Sequence, residues 1–177
     1  GGWELNLQTQ VLAWTEEVYR IHEVDPATPL KINEAINFYA PESRPAISAA
    51  VQACIDSGTP WDLELQLITA KDRRIWVRAQ GEAELRDGKI VRIHGAFQDI
   101  TERKEAHESL LKSRMMFQGL FEAAPDAVVV VAPDGLITQV NRQTETMFGN
   151  PRNELLGQPV EVLVPEALRS THVVNRT

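Results

Sequence analysis

The sequence predicts an α+β fold: a five-stranded antiparallel sheet with helices on one face, a long linker helix, and then part of a second domain built like the first. Three observations carry this reading. One supersecondary unit is written twice, about 125 residues apart. Three runs of alternating apolar and polar residues follow one another with only tight joints between them. A charged helix with heptad-like apolar spacing separates the two copies.

The first copy opens with Trp3-Glu4-Leu5-Asn6-Leu7, in which Trp3, Leu5 and Leu7 share one face of a strand. Gln8-Thr9-Gln10 makes a polar turn, and Val11 to Trp14 returns. Thr15 stands where a helix cap belongs, before a short helix over 16–22 with Glu16 and Glu17 in its first turn, as the helix dipole favours. Asp25-Pro26 and Thr28-Pro29 break the chain, and short helical turns are expected near 31–39. Residues 41–57 read as a longer helix with the stripe Ile47, Ala50, Val51, Cys54 and Ile55, stopped by Gly58. Strands follow at 61–70, 74–85 and 89–99, joined by Lys71-Asp72 and by Arg86-Asp87-Gly88, where Asp-Gly is a strong hairpin signal.

Asp99 and Glu102 have the spacing of a helix-start capping box, with Thr101 as the rival cap. The helix that begins there carries Ala106, Leu110, Ser113, Phe117 and Leu120 at 4-3-4-3 spacing, a candidate dimer seam. Three heptads are marginal alone, so the helix needs tertiary or dimer contacts. The second copy then reads Ala127-Val128-Val129-Val130-Val131, an Asp134-Gly135 turn, and Leu136 to Asn141, with Asn141 as the cap of a helix over 142–148. A helix is expected to start at Pro165-Glu166. Both ends read as cut, and the last three strands of the second copy are missing, which would leave the apolar strand 128–131 on an open sheet edge.

Composition narrows the function. The net charge is −7 and the cations are scattered, which argues against a nucleic-acid surface and against contact with an anionic membrane. The apolar run 127–132 is too short to span a bilayer. One cysteine, Cys54, allows no internal disulfide and fits a reducing cytoplasm. There is no phosphate-binding Gly-Lys loop, no Gly-x-Ser-x-Gly elbow and no His-Glu-x-x-His, and the four histidines stand isolated. An enzyme is therefore the weakest reading.

The residues resemble PAS domains with their C-terminal PAC segment, the sensory modules of bacterial histidine kinases and diguanylate cyclases. The first copy is similar to the subgroup opening Gly-x-Trp, here Gly1-Gly2-Trp3, with Ile75-Trp76-Val77 in the penultimate strand and Gly95-Ala96-Phe97-Gln98-Asp99-Ile100-Thr101-Glu102-Arg103-Lys104 at its end. The second copy resembles the N-terminal half of such a domain through Ala124-Pro125-Asp126-Ala127, Asp134-Gly135, Val140-Asn141, Met147-Phe148-Gly149 and Glu154-Leu155-Leu156-Gly157. The resemblance implies a PAS domain over 1–100, a signalling helix over 101–121 and the N-terminal part of a second PAS domain over 122–177. It also implies a ligand pocket under the helices, with Asp99, Ile100 and Thr101 as the joint through which a signal leaves.

Aromatic side chains of the sheet are more often plain core than pocket wall, but Trp14, Tyr19, Trp76 and Phe97, with Asn141 in the second copy, are the ligand-pocket candidates. Arg78 opposes Ile75 and Val77 in strand parity, so it meets either an anionic ligand or an acid on a neighbouring strand, or faces solvent. The Asn-Cys-Arg-Phe-Leu-Gln motif of flavin-adduct PAS domains is absent, and Cys54 reads as a buried structural thiol. No haem ligand is identifiable: His172 reads as surface or interdomain packing. His107-Glu108 lacks the Thr-Pro or Asn-Pro that follows a phosphoacceptor histidine, and reads as a solvent-facing helix position. The cofactor stays unknown. The expected function is a cytoplasmic input module, homodimeric, that detects a small molecule or partner and relays the signal to a downstream histidine kinase or diguanylate cyclase. The alternative is a ligand-free dimerisation and relay module.

Overall fold

The computed structural model describes residues 1–28 and 30–169, and the chain divides into two units, Gly1–His107 and Glu108–Thr177. His172 lies outside the described residues.

In the first unit, β1 (Gly2–Asn6) and β2 (Leu12–Trp14) form a hairpin, and α1 (Glu16–His22), α2 (Ile32–Asn37) and α3 (Arg44–Ser57) follow. The chain then returns through β3 (Trp61–Ile68), β4 (Arg74–Arg86) and β5 (Lys89–Asp99). The five strands lie in the order β2-β1-β5-β4-β3, every neighbouring pair antiparallel. The last strand thus pairs with the first, with Ile93 opposite Leu5.

Strand alternation decides what the sheet buries. Ile75, Val77 and Ala79 on β4, with Leu67, Ile93 and Phe97 on its neighbours, point inward to one core. The α3 residues Ile47, Val51 and Cys54, spaced four and three apart, pack onto them. Burying each such aliphatic side chain contributes about 1.5–3 kcal/mol, and together they fix the helices to one face. Cys54 is fully buried, and burial raises its thiol pKa. It is a packing residue.

Several boundaries and caps differ from expectation. The helix predicted over 41–57 begins at Arg44, because residues 41–43 form a turn and Pro45 suits only the first helical positions. β3 stops at Ile68, two residues early, where the chain turns through Lys71 and Asp72. Thr15 occupies the N-cap position of α1 but makes no side-chain cap: its Oγ1 accepts the Gly2 N–H at 3.0 Å and ties the helix entry to β1.

Two glycine sites have strict causes. Asp87 and Gly88 both have positive φ, 53° and 76°, as the β4–β5 hairpin turn requires. At Gly95 on β5 an added methyl group would overlap the Gln80 carbonyl of β4. Gly95 stands opposite Trp3 and Gly81 opposite Trp61, and the two indoles stack above them with centroids 5.6 Å apart. The small backbone surface below makes room for the large rings above.

A single helix, α4 (Thr101–Ala123), leaves β5 and carries no buried residue. In the second unit β6 (Val129–Val131) and β7 (Ile137–Val140) form an antiparallel hairpin, followed by α5 (Arg142–Phe148) and α6 (Arg152–Leu155). The strand–turn–strand–helix order of β1-β2-α1 is therefore repeated. Among the described residues the sheet of this unit has two strands, with Ile137, Val140 and Leu155 as its core. Two 3-10 turns, Val160–Leu163 and Glu166–Leu168, close the described chain, so the start expected at Pro165-Glu166 is a 3-10 turn.

Candidate ligand cavity and signalling corner

The face of the sheet beneath α1, α2 and α3 does not close completely. A cavity of ≈ 50 Å³ remains, bounded by Trp3 and Trp14 from the first hairpin, His22 from α1, Tyr39 after α2, and Ala79 and Phe97 from the central strands. Of the predicted pocket residues, Trp14 and Phe97 line it. Tyr19 stands behind, packed edge-on against Trp14 at 5.2 Å.

Trp76 is on the other face of the sheet. Ile75 and Val77 point into the core, so the residue between them must point away from it. Its indole lies under Lys104 of α4, with Nζ 4.9 Å from the ring centroid. Arg78 shares that outer face and pairs with Asp62 of β3, Nε to Oδ1 at 2.7 Å. Asn141 is no pocket residue either. It caps α5 and is fully buried: Oδ1 accepts from Val128 N, Thr144 N and Thr144 Oγ1, while Nδ2 donates to the Asp126 carbonyl. These bonds hold the second unit's hairpin to its helix.

Sequence reasoning missed His22. It is 2% exposed, stacked between Trp14 at 4.3 Å and Phe97 at 4.8 Å, with Phe38 edge-on at 5.2 Å. Its Nδ1 lies 2.8 Å from the Val18 carbonyl one turn back. A carbonyl oxygen only accepts, so Nδ1 carries the proton of the neutral ring and Nε2 keeps its lone pair. Burial lowers the pKa from 6.5 to about 4. The available signal was the four-residue step from Val18 to His22, which puts both on the buried stripe of α1.

The corner between sheet and helix is built from backbone as much as side chain. The Ile100 N–H donates to the Trp76 carbonyl at 2.9 Å, and the Trp76 N–H donates to Thr101 Oγ1 at 3.0 Å. The Thr101 hydroxyl donates to Asp99 Oδ1 at 2.6 Å, and the same oxygen accepts the Thr101 N–H at 2.9 Å. Asp99 thus closes a turn onto the residue two positions on, rather than the three-residue capping box expected. Ile100 is buried and plugs the corner from inside. Outside, Glu64 of β3 pairs with Arg103 and with Lys104, the latter at 2.6 Å. These two cations lower the Glu64 pKa.

Phe97 and Asp99 lie two residues apart on β5, so the cavity wall and the corner are roughly 7 Å apart along one strand. His107 is exposed on α4. The predicted seam residues Leu110, Phe117 and Leu120 are 67%, 54% and 65% exposed. Among the described residues no group of acidic, histidine and cysteine side chains is arranged to hold a metal ion, and no helix is long and apolar enough to cross a membrane.

This architecture has known relatives. The family described as PAS fold matches twice, over residues 11–97 and 115–175. The chain belongs to the PAS family. Over 174 residues, 97% of its length, it is 26% identical to the sensor protein FixL of Bradyrhizobium diazoefficiens, and covers 34% of that protein. It is 27% identical over 161 residues to the probable diguanylate cyclase DgcE of Escherichia coli, covering 90% of this chain and 14% of that one. Among solved structures, a sensory box histidine kinase/response regulator from Burkholderia thailandensis superposes with a TM-score of 0.54 at 24% identity, over 68% of this chain and 91% of that one. The chain thus spans about a third of one curated relative and about a seventh of the other.

Proposed function

We propose that the first PAS domain detects a small molecule in the cavity beside His22 and passes the signal through the Asp99–Thr101 corner into α4. The observation that carries this is the shared strand: Phe97 lines the cavity and Asp99, two residues later, holds the first turn of the helix. A displacement of β5 at Phe97 must move the corner, because Asp99, Ile100 and Thr101 are bonded to one another and to Trp76. Two packings of that corner make a switch that a ligand biases by its preference for one of them. Segment 101–121 is the relay. The output is a histidine kinase or diguanylate cyclase elsewhere in the protein, in keeping with the relatives. The chain itself has no catalysis, works in the cytoplasm and pairs with a second copy along α4. The test is the stimulus response of the whole protein carrying Asp99→Ala. Loss of response with the first domain still folded supports the relay, and an unchanged response removes Asp99 from it.

One observation favours a second reading. A volume of ≈ 50 Å³ is far below the roughly 300–1,000 Å³ of common ligand pockets. A ligand-free dimerisation and relay module has no need of a larger one. Native mass spectrometry of freshly purified protein separates the two: a retained small mass supports detection, and a bare dimer supports pure relay.

A further inference from the structure

Among the described residues three buried side-chain nitrogens have no hydrogen-bond partner: Trp61 Nε1, His94 Nδ1 and Arg152 Nε. Of these three residues Trp61 alone lines the first-domain cavity. Its ring is fixed from two sides. Trp3 stacks on it with centroids 5.6 Å apart, and Gly81 lies so close that a methyl group there would overlap the indole. A donor that is held in place, buried and unpaired costs stability unless something accepts from it. The ring also borders a surface groove with Pro60, Gln80 and Glu82, but the nitrogen is buried and water in that groove does not reach it. The cavity is the side on which an acceptor can stand.

The chemistry of the position is one-sided. An indole nitrogen only donates, so the occupant must bring a lone pair. The wall is otherwise built largely of apolar side chains, Leu12, Ile36, Ile47, Val51 and Ala79 among them. No aspartate, glutamate, lysine or arginine lines it, and burial keeps the His22 ring neutral. An ion would leave water here without a counter-charge, so the occupant is neutral. A water needs about two to four polar partners and gains nothing from aliphatic walls. A hydroxyl compound accepts from the indole but brings a hydrogen that needs a second partner. A carbonyl compound brings none: it gives its oxygen to the N–H and buries its carbon against the wall. The volume sets the size, since one water needs about 10–15 Å³ by this measure and ≈ 50 Å³ therefore admits about three or four non-hydrogen atoms.

We infer that the first-domain cavity is a site for a neutral carbonyl compound of about four non-hydrogen atoms, a short-chain ketone or aldehyde, whose oxygen accepts from Trp61 Nε1. This rests on the detection reading above and names its ligand class. Trp61 and Phe97 line the cavity from β3 and β5, so an occupant bears on the strands at both sides of β4.

The test uses the 177-residue chain and two probes of equal size, acetone, which only accepts, and isopropanol, which accepts but must also donate. Binding is followed by the methyl shifts of Ile47, Val51 and Ala79 and by the proton and nitrogen shifts of the Trp61 indole N–H. The expected result is saturable acetone binding about tenfold tighter than isopropanol, because the alcohol leaves its own hydrogen unpaired, with the indole proton moving downfield. In Trp61→Phe, which keeps an aromatic ring against Trp3, acetone should bind about tenfold more weakly and the preference should vanish. Should isopropanol bind the wild type as tightly as acetone, or acetone bind without moving the indole signals, the cavity is a ligand site that Trp61 does not select, and the inference falls while detection stands. If neither probe binds, the inference falls, and a mass retained in native mass spectrometry decides detection separately. The indole shifts are read on the wild type, so the outcome does not depend on whether Trp61→Phe folds.

Discussion

Thr101 and Trp76, 25 positions apart, are joined through one hydroxyl: the Trp76 N–H donates to Thr101 Oγ1 at 3.0 Å, while that hydroxyl donates onward to Asp99 at 2.6 Å. The first side chain of α4 therefore completes the hydrogen bonding of β4, the strand beside its own. A helix attached in this way does not swivel freely on the end of β5. Its first turn moves only if β4 and β5 move, or if the hydroxyl lets go.

Thr101→Val tests that attachment. Valine keeps the shape and removes both the acceptor for Trp76 and the donor to Asp99. The expected cost is roughly 1–3 kcal/mol, because the Trp76 N–H is left unpaired in a half-buried place. Hydrogen exchange should accelerate at Trp76 and in the first turn of α4, with β1 and the centre of β5 unchanged. Uniform protection in the variant would show that Ile100 and the Glu64 ion pairs hold the corner without the hydroxyl.

Gly95→Ala should be among the most damaging single-methyl additions in the chain. The new Cβ meets the Gln80 carbonyl on the neighbouring strand, and backbone cannot rotate away as a side chain can. The expected loss is about 2–3 kcal/mol, measured by denaturant unfolding of the first domain. Since Trp3 sits opposite Gly95 and stacks on Trp61, tryptophan fluorescence should change in the same variant. An alanine variant of native stability would mean that β4 and β5 separate here at little cost.

His22 should make the first domain acid-sensitive well above the range of its carboxylates. The pKa is 6.5 when exposed and about 4 in the fold, so the unfolded chain takes up the proton first as pH falls. The stability from keeping the ring neutral is complete above about pH 6.5 and declines toward pH 4, by roughly 3 kcal/mol in all. By about pH 5.5 the loss is on the order of 1 kcal/mol, with acidic side chains still charged. His22→Phe should abolish that part of the curve. Parallel curves for both proteins between pH 7 and 5.5 would show that water reaches the ring.

These cases also show what the sequence made legible. Period-two alternation exposed β3, β4 and β5 to within two residues, and the inward set Ile75, Val77 and Ala79 followed from it. The same alternation, applied to Trp76 as it was to Arg78, would have removed the indole from the pocket. Asn141 was legible as a cap because capping is local. His22 was not legible as a cavity residue, since its surroundings come from β2, β5 and the segment after α2, which only the fold brings together. The Thr101–Trp76 bond is hidden for the same reason.

Asn141→Ala should loosen the second unit more than any surface change there. Its side chain satisfies the backbone N–H groups of Val128 and Thr144 and the Asp126 carbonyl, and alanine satisfies none. The expected destabilisation is roughly 2–4 kcal/mol, seen as faster exchange in β6, β7 and α5 with the first domain unaffected. Equal protection in variant and wild type would show that the apolar core of Ile137, Val140 and Leu155 carries this unit alone.

The seam on α4 can be tested apart from everything above. Leu110, Phe117 and Leu120 recur at heptad-like spacing, and more than half of each is exposed, on a helix that buries none of its own residues. With no buried residue, the helix draws its stability from local bonds and from exposed pairs such as Glu108–Lys112, which water and salt screen. A second copy of α4 laid along this stripe would remove the exposed leucines and phenylalanine from water. Leu110→Asp with Phe117→Asp should therefore convert a dimer to a monomer in sedimentation, with a weakening of at least a hundredfold, because two charges would face the seam. The control is His107→Ala on the same helix, which should sediment as the wild type. A double variant that sediments like the wild type would place any dimer contact elsewhere on the molecule.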